Sequence, residues 1–359
     1  MFPKRTQAQF PPRWSGIIAV AVVLNLAMPS VARADDPTPL QRFTFHEPHM
    51  GTEFNLVLYT ADPALANRAS RRAFDRIHAI DVALTDYDPT SELMRLVAQA
   101  GGPPVAVSVD LFVVLDRAKQ LHDRSGGAFD PSIAPVVRLW RRARREKKLP
   151  DPELLAKAMA LVGGDAIQLD AGHRTVALTR PGMKLDLGGI AKGYASGEAI
   201  AVLRREGITS ALVAGSGDIV VADPPPGRPG WTIGIAPLEA EPQADGTLGR
   251  TILLRNAAVS TSGDAEQFVE IDGVRYSHVI DPKTGLGLTD RRSVTVVAPE
   301  GMLADALDTT ACVLGVERGL ALVESYPGAA ALFVRITPEG PVVVESKGWG
   351  THASPARQP

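Results

Sequence analysis

From about Ser210 to Val297 the sequence reads as strand after strand, with turn signals at short spacing, while helical periods lie on either side of that stretch. Such an order lacks the regular β-α-β alternation of a doubly wound parallel sheet. The expected class is therefore α+β, with mixed, largely antiparallel sheets and packed helices. Before the strand-rich part, helical periods run from about Pro63 to Leu84, from about Asp110 to the stop at Gly126-Gly127, and from about Pro152 to Gly163-Gly164. A hairpin is expected where "AIQLD" and "TVALT" flank Asp170-Ala171-Gly172-His173, and a strand where "FTFHEPHMGTEFNLVLYT" alternates. After it come helices around Leu303–Leu314 and Arg318–Ser325, then the closing strands "AALFVRI" and "PVVVE".

The first residues read as an address. Lys4, Arg5 and Arg13 precede an apolar run from Ile17 to Met28, and Ala32-Arg33-Ala34 offers an A-x-A-like cleavage site. The expectation is a cleaved signal peptide over residues 1–34, a periplasmic mature chain with no transmembrane segment, one domain over 35–348 and a disordered tail over 349–359. Cys312 is the single cysteine, so an intramolecular disulfide is excluded and a buried structural thiol is expected. A net charge of −2 and 5% aromatic residues argue against a nucleic-acid binder. The basic stretch "RLWRRARREKK", Arg138 to Lys148, then reads as a solvated helix face.

Four segments could carry chemistry. In "KLDLGGIAKGYASG" a strand carrying Asp186 runs into Gly188-Gly189, and Lys192 follows as a helix begins. Glycines there admit close backbone approach and the helix start offers free N–H groups to an anion, but a tight packing turn would look the same. In "MLADALDTTACVLG" Asp305 and Thr309 stand four apart, on one helix face, with Asp308 and Thr310 beside them. A carboxylate and a hydroxyl so placed suit magnesium; the alternative is a surface Asp305 and a Thr309 bonded back to its helix. His278 lies in "STSGDAEQFVEIDGVRYSHVIDPKTGLGL", near Ser260, Thr261, Ser262 and Asp264, and is either structural or a general base. "SGGAFDPSIAP" is by itself a loop. "AGSGD" around Ser216 lacks the hydrolase elbow, and His46 with His49 lacks a third ligand.

In this order, "HMGTEFNLVLY", "TDYDPTSELMRL", "GGAFDPSIAPVVRLW", "LDLGGIAKGYA", "AGSGDIVV", "STSGD…YSHVIDPKTG" and "ADALDTTACVLG" resemble the FAD:protein FMN transferases, the ApbE family. The resemblance spans about residues 45 to 315. It implies an enzyme that moves FMN from FAD onto a threonine or serine hydroxyl of an acceptor protein and releases AMP, with Mg2+. Implied metal ligands are Asp305, Thr309 and the Gly189 carbonyl. Implied flavin contacts are Met50, Tyr87, Ala128, Phe129, Asp130, Asp186, Lys192, Ile280 and Asp308. His278 is the implied transfer residue, as general base. Implied acceptors are flavin-carrying subunits of membrane electron-transfer complexes. The chain departs from the family at Val97, where asparagine is usual, and at Ser216-Gly217, where a glycine pair is usual. The competing readings are an FAD pyrophosphatase, which shares every residue named, and a flavin carrier without turnover.

Overall fold

The structure is a computed structural model describing residues 39–236, 238, 250–263 and 267–352. The expected signal peptide, Asp264 and residues 353–359 lie outside the described residues. The chain enters through a hairpin, β1 (Gln41–His49) and β2 (Thr52–Thr60), turning at Met50-Gly51. Helices α1 (Pro63–Leu84) and α2 (Glu92–Val97) follow. Strands β3 (Val105–Ala106), β4 (Ile167–Asp170) and β5 (Thr175–Leu178) make a small sheet, and between β3 and β4 come α3 (Val109–Ser125), α4 (Ala134–Glu146) and α5 (Pro152–Met159). Helix α6 (Ala191–Arg205) leads into β6 (Ala211–Gly215), β7 (Asp218–Val221), β8 (Trp231–Ile235) and β9 (Arg250–Leu254). Then come β10 (Ala257–Gly263), β11 (Phe268–Ile271), β12 (Val274–Ser277) and β13 (Arg292–Ala298). Helix α7 (Gly301–Glu324) and strands β14 (Ala330–Thr337) and β15 (Gly340–Glu345) close the fold.

Eight strands form one sheet in the order β1-β2-β6-β7-β10-β13-β14-β15, and every neighbouring pair in it is antiparallel. The α+β expectation holds. Helices α1, α6 and α7 cover one face and bury the main core. The β8–β9 ribbon and Trp349 cover the other face. Helix α7 is buried on most of its surface up to Cys312, as suits a helix packed between a sheet and other helices. It breaks at Gly315, whose φ of 76° and ψ of −178° are not helical, which accounts for two expected helices where one span is found.

Local signals explain the ends. Asp62 caps α1 by accepting from the Ala64 amide at 2.8 Å, with Pro63 in the first turn. Gly126, at φ 62°, ends α3 in the left-handed region.

Two expectations need correction. Lys184 to Leu187 is not a strand: the Asp186 amide bonds the Pro131 carbonyl at 2.8 Å, in a loop with no strand beside it. The tail is ordered at its start. Trp349 is 2% exposed, and the His352 carbonyl accepts from the Leu253 amide at 2.9 Å, because the indole covers apolar surface on the outer face of the sheet.

Helices α6 and α7 meet at two glycines. A β-carbon on Gly193 would lie inside the van der Waals envelope of the Gly301 carbonyl oxygen and 2.8 Å from Asp305 Cβ. Backbone on one side and a buried aspartate on the other leave no room to yield. Gly193→Ala is expected to destabilise the fold by about 1–3 kcal/mol, measured by denaturant unfolding. An unchanged midpoint would show that the two helices can part.

Candidate active site

The functional segments converge at one end of the large sheet. Strand β2 pairs with β6 so that Phe54 faces Gly215, and Gly215 faces Asp218 on β7. The hairpin turn at Met50-Gly51, the turn at Ser216-Gly217 and the C-terminal part of β10 therefore share that end. The first turns of α6 and α7 are packed over it through Gly193 and Gly301.

Here Lys192 meets buried carboxylates. Its ammonium is hydrogen-bonded to Asp218 Oδ2 and stands 4.0 Å from Asp305 Oδ1. The Gly193 amide donates to Asp305 Oδ2 at 2.9 Å. Asp308 Oδ1 accepts from Ser262 Oγ at 3.0 Å and from Thr309 Oγ1 at 3.1 Å. Ser260 Oγ lies between Asp218 Oδ1, at 2.5 Å, and Asp308 Oδ2, at 2.6 Å. One hydroxyl carries one proton and cannot donate to both carboxylates. The cluster thus holds more acceptor oxygens than donors to serve them.

The electrostatics give the same answer. Burial, then the charge of Asp218, pushes Asp305 up to about 7, against the pull of Lys192. Burial, then Asp305 and Asp218, holds Asp308 well above the carboxylate range. Burial works against the Lys192 charge, but Asp305 and Asp218 more than offset it and keep the ammonium above its ordinary range. Three carboxylates thus face one ammonium, an arrangement short of positive charge.

Gly189 lies beside this cluster. A β-carbon there would be 3.4 Å from Thr309 Oγ1 and 3.6 Å from Phe129 Cε2, so the glycine loop, Thr309 and the Phe129 ring are neighbours. Asp305 is 2% exposed, not at the surface, and it is Thr310, not Thr309, that bonds back to the Ala306 carbonyl, at 2.5 Å. Thr309 Oγ1 remains directed at Ser262 Oγ, 3.1 Å away.

Asp186 organises the approach. It accepts from the Gly188 amide at 2.8 Å, and Arg141 reaches it at 3.4 Å while bonding Asp86 at 2.8 Å. The Arg141 guanidinium lies 4.6 Å from the centre of the Tyr87 ring, which is otherwise exposed. This corrects the reading of the basic stretch as a solvated face: Arg141 and Arg144 of α4 turn inward, and only their neighbours stay in solvent. Ala128 and Phe129 are buried. The Asp130 carboxylate is committed to backbone, accepting from the Ser132 amide of its own loop at 2.8 Å and from the Gly164 amide after α5 at 3.1 Å. Met50, at φ 50°, donates its amide to Asp81 at 2.7 Å, which fixes the hairpin turn next to α1.

His278 follows β12. Its amide and its ring both use the Gln267 carbonyl: the amide donates at 2.9 Å and Nδ1–H at 3.2 Å. That bond leaves Nε2 as the lone-pair nitrogen. Burial, then the positive charge of Arg144 and of Lys192, brings the ring down to about 4, so it is neutral at ordinary pH. From Gly263 at the end of β10 the chain needs only four residues to reach Gln267, a span of at most ~14 Å. The Lys192 charge is among those acting on the ring, which ties His278 to the acidic cluster electrostatically. Ser260 and Ser262, read in sequence as companions of His278, instead bond Asp308. Ile280 has its side chain buried against α4, leaving its backbone for any ligand.

Sequence reasoning missed Asp218 and Arg141. "AGSGD" enters the sequence reading as a failed hydrolase elbow and as a segment of the family resemblance, with no role for its aspartate, yet an acid straight after a tight turn between apolar strands is a usable signal. A second convergence, of His122, Asp123 and Asp165, lies off this cluster; Asp123 is already paired with Lys119 at 2.6 Å.

The pattern of the ApbE family matches residues 50–333. The FAD:protein FMN transferase of Treponema pallidum is 36% identical over 301 residues, 79% of this chain and 82% of its own length. That of Haemophilus influenzae is 33% identical over 334 residues, 89% and 92% of the two chains. Among solved structures, the flavin transferase ApbE from Vibrio cholerae superposes with a TM-score of 0.78 at 28% identity, covering 88% of this chain and all of its own. The Pseudomonas stutzeri flavinyl transferase ApbE gives 0.76 at 29% identity, over 88% and 98% of the chains. With the fold, the buried acidic cluster and these likenesses taken together, the chain belongs to the ApbE family and is a flavin-transferring enzyme.

Proposed function

We propose that this enzyme transfers FMN from FAD to a threonine or serine hydroxyl of an acceptor protein, with Mg2+, and releases AMP. The observation that carries the reading is the excess of buried acid: Asp218, Asp305 and Asp308 against Lys192, the one cation bonded to them among the described residues. Two neighbouring acids whose burial together strengthens their hold on a proton form a site a divalent ion would complete. The donors fit magnesium, being hard oxygens: the Asp305 carboxylate, the Thr309 hydroxyl and the Gly189 carbonyl. When bound, the ion supplies Lewis-acid stabilisation of charge on the FAD diphosphate.

The chain's own groups do the rest. Lys192 offers a fixed charge to the diphosphate, and Asp186 with Arg141 holds the glycine loop. Phe129 and Tyr87 border the space for the flavin. His278 Nε2 takes the proton of the incoming hydroxyl as its oxygen bonds the phosphorus on the FMN side. The phosphorus–oxygen bond to AMP breaks, and AMP leaves with that oxygen.

Among the described residues no helix is long and apolar enough to cross a membrane. Export through residues 1–34 to the periplasm, and acceptors among the flavin-carrying subunits of membrane electron-transfer complexes, complete the proposal. The test mixes the chain with FAD, magnesium and an acceptor domain bearing the target threonine. AMP release with an FMN-sized mass gain on the acceptor is the expected result. AMP without mass gain would make it a pyrophosphatase, and neither signal would leave a flavin binder.

A further inference from the structure

Helix α7 carries Asp305, Asp308 and Thr309 in its first half only. Together with Cys312 these residues follow one another at helical steps, so they lie along one stripe of the helix. Three residues after Cys312 the helix breaks, at Gly315, whose φ of 76° favours glycine. A break turns the carbonyls before it into a helix C-terminus, short of amide partners and carrying negative charge. Arg292, the first residue of β13, meets that end: its Nη1 donates to the Cys312 carbonyl at 2.6 Å. A β-carbon on Gly315 would stand 3.6 Å from the same nitrogen, so the guanidinium lies against the break itself.

The guanidinium is held from behind. Its Nε donates to Asp290 Oδ2 at 2.7 Å, its Nη2 bonds the same oxygen, and Arg335 Nε lies 3.7 Å from it. The same turn of α7 is tied to β10. The Cys312 thiol donates to the Ser262 carbonyl at 3.4 Å. The Ser262 hydroxyl donates to Asp308 Oδ1 at 3.0 Å and lies 3.1 Å from Thr309 Oγ1. Ser262 in turn faces Val294, two residues along β13 from Arg292. Arg292, Cys312, Ser262 and Thr309 thus close a circuit of contacts through three elements, and the circuit includes a proposed metal ligand.

We propose that Arg292, held by Asp290, is a positioning residue for magnesium: it fixes the broken end of α7 and thereby the places of Asp305 and Thr309 against β10 and the Gly189 loop. The proposal rests on the magnesium reading above. Its own contacts are to Asp290 and to backbone, so it acts through Thr309 and Asp305. The competing account is an ordinary ion pair that stabilises the sheet and adds nothing to the site. The two differ in what they predict for the metal. A loose helix end scatters the ligands before the ion arrives, so the loss falls on metal affinity. Once bound, the ion holds its own ligands, and the rate at saturation is kept.

The test measures magnesium binding by calorimetry and by the rise of melting temperature with magnesium concentration, and separately the transfer rate at saturating magnesium. Arg292→Gln is expected to raise the magnesium dissociation constant about tenfold, the effect of losing a partner that orients metal ligands, with the saturated rate within about threefold of the parent. Arg292→Lys, which keeps the charge but not the fork, should raise it about threefold. Asp62→Ala removes the cap of α1, at the end of that helix far from the bond between Asp81 and Met50, and destabilises the chain without touching the circuit. It should leave the magnesium dissociation constant unchanged. The proposal is overturned if Arg292→Gln binds magnesium within twofold of the parent, if it slows the saturated rate tenfold, or if Asp62→Ala weakens magnesium as much. Should Arg292→Gln not fold, Arg292→Lys decides, and a constant equal to that of the parent overturns the proposal. A parent chain that gives neither heat nor a melting shift with magnesium removes the magnesium reading itself, and this proposal with it.

Discussion

Asp305→Asn is expected to lower magnesium-dependent flavin transfer by about a thousandfold or more while leaving the chain folded. The size follows from losing a direct ligand, since stabilisation of the diphosphate by a cation is worth several kcal/mol and ~4 kcal/mol is a thousandfold in rate. The fold should survive because asparagine keeps an oxygen for the Gly193 amide, and Lys192 keeps Asp218. The pH dependence is the sharper readout. Asp305 ionises near 7 in the fold against an ordinary 3.8, so its contribution to stability is full below about 3.8 and is lost as pH rises through 7. Without metal at pH 8, Asp305→Asn should therefore melt at or above the temperature of the parent chain. Magnesium should raise the melting temperature of the parent chain and leave that of the variant unchanged. Metal affinity of the parent should weaken by up to tenfold per pH unit below about 7, as protons compete for the ligand. A variant that still flavinylates an acceptor in the presence of chelator would remove Asp305 from the site.

What the sequence disclosed and what it withheld divide along a physical line. Helices α1, α3 and α6 and the β4–β5 hairpin were legible because period and caps are local: Asp62-Pro63, Gly126 and the turn after Asp170 act within a few residues. That Asp305 and Thr309 share a helix face is legible for the same reason, the two being one helix turn apart. Lys184–Leu187 reads as a strand by composition, yet the Asp186 amide is spent on Pro131 and its carboxylate on the Gly188 amide, and only the tertiary fold decides that. Asp218 is invisible because its partner, Lys192, arrives from another element across the α6–β7 contact. The inward face of α4 was concealed by charge. Arginines at 141 and 144 look like solvent-facing residues until Asp86 and Asp186 are placed opposite the first of them. Sequence resemblance could propose residues for the site; it could not say that Ser260 and Ser262 serve Asp308 instead of His278.

His278→Ala is expected to slow transfer by about a hundred- to ten-thousandfold, the range for removing a positioned base, with FAD and magnesium affinity within a few-fold of the parent. The bond from Nδ1–H to the Gln267 carbonyl predicts more than the loss. It presets the tautomer with Nε2 free, so the base needs no rearrangement before it takes a proton. Because burial, Arg144 and Lys192 bring the ring down to about 4, the rate under saturating magnesium should be flat from pH 8 to about 5 as far as this group is concerned. Below about 4 it should fall tenfold per unit. The sign for stability agrees: a histidine lowered from 6.5 contributes stability that is present above 6.5 and lost as pH falls through 4. An acid limb centred near 6.5 would show the ring solvated and remove it as the buried base. Free imidazole added to His278→Ala gives the last discrimination. Recovery of transfer with imidazole, at unchanged acceptor KM, assigns the lost group to proton transfer, whereas a variant that imidazole leaves slow has lost the position of the β11–β12 hairpin instead.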